Sequence, residues 1–288
     1  MSIILLGGTG LAGQAILSEL LSRGNSFKTV ARTNADIEIN LFSENNLSTI
    51  LNDEKPDVVI NAAAMVNIEE CKHKFAESWN INCRIPSLIT HWCSKNNKSF
   101  IQISTDHFFN QTGKKLNNEE SKVSLLNEYA LQKYAAERVC LTSPNSLVIR
   151  TSIVGLRGWK DLTFAEWAIK SIFEGDKINL FEDAWTSSLD VESFARAALD
   201  LFFIHNARGL FNIGSNEVYS KADFIRELAL QLNKGIMNYK SCSIHDFLED
   251  RPSSLGLDIT KTQNLLNWKL PGLKEVVSNI IRMRKFYE

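Results

Sequence analysis

The chain has 288 residues and a formal net charge of −1 at pH 7, with 44% hydrophobic and 23% charged residues. These values are typical of a globular protein, and a chain of this length can bury a sizeable core as one large domain or two coupled lobes. The near-zero charge provides no basic field for nucleic acid, and no apolar run reaches the roughly eighteen residues that a membrane-spanning helix needs.

The five cysteines are scattered and form no C-x-x-C pair. An odd number without metal-ligand spacing predicts buried thiols in a reduced, cytoplasmic protein, with neither a zinc site nor a catalytic cysteine. The opening "MSIILLGGTG" lacks the basic start of a secretory signal and predicts a strand that runs into a turn. We therefore expect neither a metal ion nor a membrane partner.

Short apolar runs alternate with helical patterns through the first half of the chain. The predicted strands are Ile3–Leu6, Phe27–Ala31, Asp36–Ile39, Asp57–Ile60, Phe100–Ser104 and Leu147–Arg150. The predicted helices are Gly13–Ser22, Glu44–Asn52, Ile68–Lys95 with a bend near Pro86, and Asn127–Leu141. This alternation predicts an α/β fold, a Rossmann-type doubly wound parallel sheet covered by helices on both faces.

The regular alternation of predicted strands and helices changes after Arg150. The predicted elements there are helices Phe164–Phe173, Val191–Phe203, Lys221–Leu232 and one from about Leu273, and strands Lys177–Leu180 and Leu210–Ile213. Because no low-complexity linker separates the halves, we expect a smaller, interleaved C-terminal substrate lobe. Residues 1–153 with about 189–214 would form the dinucleotide-binding domain, and about 154–188 with 215–288 the lobe.

The first strand runs directly into a glycine-rich turn, "GGTGLAG". Gly7 permits the tight turn, Gly10 lets the backbone approach a pyrophosphate, and Gly13 allows close packing of the helix on the strand. The helix N-terminus offers free N–H groups to phosphates, which adds Thr9 and Leu11 to the predicted contacts. A strand before the glycines and a helix after them is the context that dinucleotide binding requires.

The second predicted strand ends in "TVARTNAD", which places Arg32 where a Rossmann site reads the adenosine ribose. An acidic residue at this position binds the ribose hydroxyls of NAD, whereas an arginine accommodates the 2′-phosphate of NADP. Arg32 therefore favours NADP(H), and Asp36 nearby keeps NAD open as the alternative.

The stretch "NEYALQKYAAERV" carries a tyrosine four residues before a lysine on a predicted helix. Residues four apart share a helix face, so Tyr129 and Lys133 are neighbours. Leu131, Ala135 and Val139 form the apolar stripe, which predicts that this stripe packs on the core and that Tyr129 projects roughly 200° away from it. Alone, the pair is also compatible with a partly exposed helix whose lysine extends into solvent, so its context decides.

The order of the motifs resembles the extended short-chain dehydrogenase/reductase superfamily and, within it, the dTDP-4-dehydrorhamnose reductases. The resemblance covers nearly the whole chain. Besides the glycine turn, three motifs of the first half carry the resemblance: "KPDVVINAAA" resembles the family's P-D-V-V-x-N-A-A-A, "ISTDHFFN" resembles its S-T-D-Y-V-F-D, and "NEYALQKYAAE" resembles its N-x-Y-G-x-T-K-x-x-G-E. Three more follow: "VIRTSIVG" resembles the family's R-T-S-W-V-Y, "LFEDAWTSSL" resembles its D-Q-x-G-x-P-T loop, and "EDRPSSLGLDITK" resembles its R-P-x-x-S-x-L-D-x-x-K.

The resemblance implies that Tyr129 exchanges the proton with the substrate oxygen, that Lys133 favours the phenolate and that Thr105 orients the same oxygen. An unperturbed tyrosine has a pKa of about 10, and a neighbouring positive charge lowers it. A catalytic pKa closer to the working pH makes general acid–base catalysis more efficient. Ligands of open α/β sheets bind outside the carboxyl ends of the strands, where Thr105 falls.

The resemblance also implies the remaining contacts, with several departures from the family pattern. The implied cofactor contacts beyond the glycine turn are Arg32, Asn40, Leu41, Asn61, Ala62, Ala63, Ala64, Asn82, Tyr129, Lys133 and Thr151. The implied substrate contacts are Val66, Thr105, Asp106, His107, Ile153, Trp185 and Arg251. His107 replaces a Tyr of the family, Asn110 an Asp, Ile153 a Trp, Ala184 a Gln and Asn40 an Asp. Most of these changes fall on the substrate side, so we expect an altered substrate pocket beside intact cofactor and proton chemistry.

The expected function is an NAD(P)H-dependent reductase of a nucleotide-linked 4-keto-6-deoxy sugar. Two alternatives stay open from the sequence. One is an epimerase or dehydratase of the same superfamily, although His107 stands where dehydratases carry an acid. The other is a non-catalytic, NADP-binding protein similar to the regulatory subunit of methionine adenosyltransferase. The sequence leaves open the nucleotide, the sugar, and whether the chain is a monomer or a homodimer.

Overall fold

The computed structural model describes residues 1–40, 44–109, 113–246 and 252–284. Leu41 and Arg251, both predicted to contact ligands, and Asn110 lie outside the described residues.

Fourteen strands are found in the described ranges, including all eight that the sequence predicts, with ends shifted by at most one residue. They are β1 (Ser2–Leu6), β2 (Ser26–Ala31), β3 (Ile37–Glu38), β4 (Val58–Asn61), β5 (Ser99–Ile103), β6 (Ser146–Thr151), β7 (Ile153–Val154), β8 (Ile178–Phe181), β9 (Trp185–Thr186), β10 (Leu189–Asp190), β11 (Gly209–Ile213), β12 (Tyr219–Ser220), β13 (Tyr239–Cys242) and β14 (Ser254–Leu255). The unpredicted strands are short and lie after Arg150.

Most helices of the described ranges fall close to the predicted positions, whereas those at Ile244–Asp246 and Thr260–Gln263 were not predicted. They are α1 (Leu11–Ser22), α2 (Glu44–Glu54), α3 (Ile68–His73), α4 (Phe75–Trp79), a π-helix (Asn80–Arg84), α5 (Ile85–Asn96), α6 (Glu128–Cys140), α7 (Phe164–Glu174), α8 (Val191–Phe203), α9 (Lys221–Gln231), a 3-10 helix (Ile244–Asp246), α10 (Thr260–Gln263) and α11 (Leu273–Arg284).

Side-chain caps fix where several helices begin. The Asn127 side chain accepts from Ala130 N at the start of α6. Thr163 begins α7 in a capping box with Glu166, in which each side chain accepts from the other's backbone N–H. Such a cap contributes about 1 kcal/mol by satisfying donors that the helix cannot use itself.

The prediction of one helix over Ile68–Lys95 is wrong in detail. The segment breaks at Lys74, whose φ of −114° and ψ of 52° are not helical. It then passes through the π-helix just before Pro86, which is the first-turn proline of α5. Because proline lacks an N–H, it is tolerated in a first helical turn and not in a helix interior, so the helix restarts there.

A seven-stranded sheet in the order β11-β6-β5-β4-β1-β2-β3 confirms the predicted Rossmann-type architecture. The strand pairs from β6 to β3 are parallel. Ile4, Val59, Phe100 and Val148 on these strands are buried in one apolar core with helix residues. The order reverses between β1 and β4, and in such sheets ligands bind outside the carboxyl ends of the strands at this switch point.

The chain divides into two compact units. The first consists of Met1–Thr105, Asn127–Arg150 and Ala195–Phe211, and the second of Asp106–Leu126, Thr151–Phe194 and Asn212–Glu288.

This division differs from the sequence prediction chiefly at Asp106–Leu126, which the prediction counted with the first domain. Asn117 explains why the segment belongs to the second unit, since its side chain donates to the backbone oxygens of Ser254 (3.2 Å) and Gly256 (2.8 Å). These partners lie far away in the sequence, and no local pattern indicates them.

Small sheets organise the second unit. β12, β9 and β14 form one, while β13 with β8 and β10 with β7 form parallel pairs. The buried Tyr219 hydroxyl donates to Ser188 O, and Asn279 donates to the Asp190 carboxylate (3.1 Å), which joins α11 to β10.

All five cysteines are buried and unpaired by disulfides. Burial raises the pKa of the Cys93 and Cys140 thiols to about 12, so neither is a thiolate near neutral pH. Across the described ranges, no helix combines the length and apolar character that crossing a bilayer requires.

Candidate active site

The glycine turn follows β1 and is held by close backbone contacts. Gly7 has a φ of 76°, and a Cβ atom there would lie 2.6 Å from Ala63 N. A Cβ at Gly13 would collide with Gly7 O, so α1 packs directly on the turn. Both glycines are therefore required by the protein's own packing, as the sequence predicts for the turn and for the helix contact.

Gly10 differs from these two glycines. A Cβ at Gly10 would meet only Gly7 O, at 3.4 Å, which is ordinary contact. Gly10 is the N-cap of the twelve-residue helix α1, and no side chain caps that end. The turn thus presents uncapped backbone N–H groups and an uncrowded glycine, which fits the approach of a dinucleotide pyrophosphate.

The turn after β4 lies beside the glycine turn because β1 and β4 are paired strands, with Leu6 opposite Asn61. The Asn61 side chain is completely buried, donates to Gln102 Oε1 (2.9 Å) and accepts from Ala63 N (3.1 Å). Asn61 therefore shapes the turn from inside. Ala62–Ala64 are partly exposed and present small side chains on its outer side.

Asn82 lies in the π-helix and is also buried. Its amide hydrogen-bonds Met65 N, Met65 O and Gln132. The Asn82 side chain therefore makes its hydrogen bonds inside the protein. The sequence prediction assigned this residue to the cofactor.

Arg32 directly follows β2 and is exposed, and no hydrogen bond or ion pair joins it to another residue of the described ranges. Asp36 is already engaged, because its carboxylate accepts from Thr29 N and Thr29 Oγ1, both at 2.8 Å. These hydrogen bonds hold the pKa of Asp36 below its usual range. Asn40, after β3, is exposed.

The face of helix α6 that is buried is opposite to the one that the sequence predicted. Leu131 and Val139, assigned to the core stripe, are 42% and 37% exposed, while Tyr129 and Lys133 are buried. The remaining buried residues of α6 are Ala130, Gln132, Ala136, Glu137 and Cys140. The face that packs on the sheet is therefore largely polar, and its polar groups must find internal partners.

Lys133 is one turn from Tyr129 and is anchored at the end of β5. Its Nζ donates to Ile103 O at 2.7 Å. Burial lowers the pKa of Lys133 to about 8. The acceptor residue, Ile103, lies at the carboxyl end of β5 and only two residues before Thr105, which is itself buried.

A buried ion pair supports the same region, and the sequence prediction did not include it. Arg150 donates to both Glu137 oxygens, at 2.6 and 3.0 Å, and Ser104 Oγ donates to Glu137 Oε2 at 3.2 Å. Glu137 thus holds the residue before Thr105. It was detectable as the final glutamate of the motif around Tyr129.

The second unit carries three further predicted substrate residues before Trp185, which also belongs to it. Asp106 is buried and His107 half-buried, while Ile153 pairs with Leu189 in the β7–β10 sheet. Trp185, in β9, has Lys114 Nζ 4.5 Å from the centre of its ring. Thr151, a predicted cofactor contact, is buried at the end of β6.

Val66 belongs to the first unit and is 65% exposed. Among the described residues, no group of three or more His, Cys, Asp or Glu side chains is arranged to hold a metal ion.

The chain as a whole is similar to known proteins. Residues 1–285 match the family model described as RmlD substrate binding domain. The chain is 22% identical to the probable low-salt glycan biosynthesis reductase Agl14 of Haloferax volcanii, over 96% of this chain and 95% of that protein. It is 24% identical to a dTDP-4-dehydrorhamnose reductase of Aggregatibacter actinomycetemcomitans, over 96% of this chain and 97% of that protein.

A solved structure has the same fold. The dTDP-4-dehydrorhamnose reductase of Bacillus anthracis in complex with NADP superposes with a TM-score of 0.87. It covers 98% of this chain and 99% of its own, at 17% identity. The likeness therefore extends over both units of the chain.

Proposed function

The chain belongs to the RmlD substrate binding domain family, and on that premise we propose that it is an NAD(P)H-dependent reductase of a nucleotide-linked 4-keto-6-deoxy sugar. NADP(H) is the favoured cofactor, and NAD(H) is the alternative. The observation that carries the proposal is the buried Tyr129/Lys133 pair on α6, with Lys133 anchored to the backbone two residues before Thr105.

The residues divide the chemistry between them. The bound cofactor supplies a hydride for the keto carbon. As negative charge develops on the substrate oxygen, Tyr129 donates its phenolic proton to that oxygen and Thr105 orients it by a hydrogen bond. The Lys133 ammonium stabilises the phenolate that remains, because a neighbouring positive charge favours the ionised form. A proton from solvent then restores the phenol.

The reaction is tested by NADPH consumption with a panel of nucleotide-linked 4-keto-6-deoxy sugars, with NADH in parallel. Reduction of at least one member with stoichiometric NADPH oxidation is expected. Product formation without net NADPH oxidation would favour the epimerase or dehydratase instead. A wild type that binds NADP but converts no member would favour the non-catalytic alternative.

Arg32→Ala should reduce the preference for NADPH over NADH. The exposed Arg32 guanidinium can pair with a 2′-phosphate in a bidentate manner, and NADH has no such group. We expect the Kd for NADPH to rise roughly tenfold, the scale of about 1.4 kcal/mol, with the Kd for NADH nearly unchanged. Isothermal titration measures both. The exposed Lys55→Ala serves as the control for a lost surface cation, and equal wild-type affinities for the two cofactors would refute the assignment.

Gly10→Ala and Gly13→Ala should separate ligand binding from folding. An added methyl at Gly13 collides with Gly7 O, and overpacking of this kind costs about 1–3 kcal/mol of stability. The same methyl at Gly10 has room in the protein and obstructs only a ligand that approaches the turn. Thermal unfolding should therefore show a clear loss for Gly13→Ala only, while NADP titration should show weaker binding for Gly10→Ala. A Gly10→Ala variant with wild-type affinity would contradict this placement of the pyrophosphate.

A further inference from the structure

A series of hydrogen bonds between buried side chains links α6 to the turn after β4, which lies beside the glycine turn. Gln132 Nε2 donates to Ser78 Oγ, and Gln132 Oε1 accepts from Asn82 Nδ2, both at 2.8 Å. Asn82 then binds both backbone polar groups of Met65, since Oδ1 accepts from Met65 N and Nδ2 donates to Met65 O, each at 2.9 Å. Ser78, Gln132 and Asn82 are all at most 1% exposed.

The far end of this Ser78–Gln132–Asn82 chain fixes a segment of backbone that touches the predicted cofactor site. Met65 directly follows Ala62–Ala64, and Ala63 is so close to Gly7 that no Cβ fits between them. A shift of Met65 is therefore transmitted to Ala63 and to the glycine turn through backbone contacts. Helix α6 and the glycine turn are coupled through hydrogen bonds and close packing rather than through the sheet alone.

Gln132 departs from the family motif, which has a threonine immediately before the lysine. A threonine carries one short hydroxyl, whereas the glutamine amide has a separate donor and acceptor at the end of a longer side chain. The two ends of the Gln132 amide are used for different partners on the α4 and π-helix segment. Because all of these groups are buried, loss of Gln132 would leave one Nδ2 hydrogen of Asn82 with only the weak acceptor Cys71 Sγ, at 3.7 Å, and would remove the contact that fixes the Asn82 amide from the side of α6.

We propose that Gln132 is a positioning residue for the dinucleotide: through Asn82 it fixes Met65 and the Ala62–Ala64 turn against the glycine turn, and thereby sets cofactor affinity. Gln132 itself contacts no cofactor. The inference rests on the proposed function only in taking the ligand of the glycine turn to be an NAD(P) dinucleotide.

Gln132→Met tests the proposal by keeping an unbranched side chain of similar length without the amide. The Kd for NADP⁺, measured by isothermal titration on the full chain, should rise on the order of tenfold, which corresponds to about 1.4 kcal/mol and is the scale of one lost buried hydrogen bond. The KM for the nucleotide sugar should change less than twofold. Leu131→Met is the matched control, since it places the same side chain at the adjacent, exposed position.

A double-mutant cycle tests whether Gln132 acts through Asn82. Asn82→Ala should weaken NADP⁺ binding at least as much as Gln132→Met, and combining the two should add nothing further. If Asn82→Ala does not fold, Ser78→Ala replaces it, because that change releases only the outer end of the Gln132 amide and should raise the Kd by a smaller factor.

Three results would overturn the proposal: additive effects of Gln132→Met and Asn82→Ala, a wild-type Kd in Gln132→Met despite a lower melting temperature, or a wild type that binds no dinucleotide. A wild type that binds NADP⁺ but reduces no keto sugar would refute the proposed reaction and leave this inference standing, so the two failures are distinguishable.

Discussion

Tyr129→Phe is expected to lower kcat by about 10²-fold or more, the usual scale of general acid catalysis. Phenylalanine keeps the buried ring and removes only the hydroxyl and its transferable proton. The affinity for NADP(H) should hardly change, because in the proposed mechanism the phenol contacts the substrate oxygen and not the pyrophosphate. Steady-state kinetics with the best substrate of the panel, together with NADP titration, measures both quantities.

Tyr134→Phe is the matched control for this experiment, since it removes the same hydroxyl from a half-buried position on the same helix. Its kcat should stay within about twofold of the wild type, because a substitution that leaves the reacting groups in place usually has a small effect. A Tyr129→Phe variant with wild-type kcat would remove Tyr129 from the proton-donor role. If the wild type converts no keto sugar and a protein partner still binds Tyr129→Phe, the regulatory alternative is favoured.

The central sheet and the glycine turn were predictable because their signals are local. Continuous apolar strands alternate with helices. Gly7 and Gly13 lie where neighbouring backbone leaves no room for a Cβ atom. The parallel order around β1 and β4 follows from the same alternation. These features depend on residues close together in the sequence.

The buried face of α6 was not predictable from hydrophobicity. The helix exposes Leu131 and buries Lys133 and Glu137 because the buried groups have partners elsewhere: Ile103 O for the lysine and Arg150 for the glutamate. A buried polar group is tolerated once it is hydrogen-bonded or paired, so an apolar stripe does not identify the core side of such a helix.

The break between α3 and α5 has a similar origin. No glycine or proline marks Lys74, and the π-helix at Asn80–Arg84 has no sequence signal of its own. The local geometry places Asn82 where it reaches Met65 and Gln132, both distant in sequence. π-Helical turns occur often at functional sites, which is consistent with the hydrogen bonds from this one to Met65, next to the Ala62–Ala64 turn that we propose contacts the cofactor.

Lys133→Met should abolish most of the activity and at the same time leave the fold as stable as the wild type or more stable. Loss of the ammonium removes the charge that favours the Tyr129 phenolate and, in the proposed site, a contact to the nicotinamide ribose. We therefore expect kcat to fall by about 10²-fold or more and NADP affinity to fall with it. An exposed lysine, as in Lys95→Met, provides the control, with kcat and affinity near wild type.

The expected gain in stability follows from the surroundings of Lys133. Ile103 O keeps a donor without the lysine, because Gln102 Nε2 also donates to it at 2.7 Å, and Glu137 keeps its Arg150 partner. Burial lowers the pKa of Lys133 from the ordinary 10.5 to about 8, so burying the charged form costs stability.

That cost is fully present below about pH 8 and disappears as the pH rises toward 10.5, where the unfolded chain also loses the proton. Chemical denaturation at pH 7 and at pH 9.5 should therefore show that the stability advantage of Lys133→Met shrinks at the higher pH. A variant that is less stable than the wild type at pH 7, and by the same amount at pH 9.5, would contradict this expectation and show that Lys133 stabilises the fold.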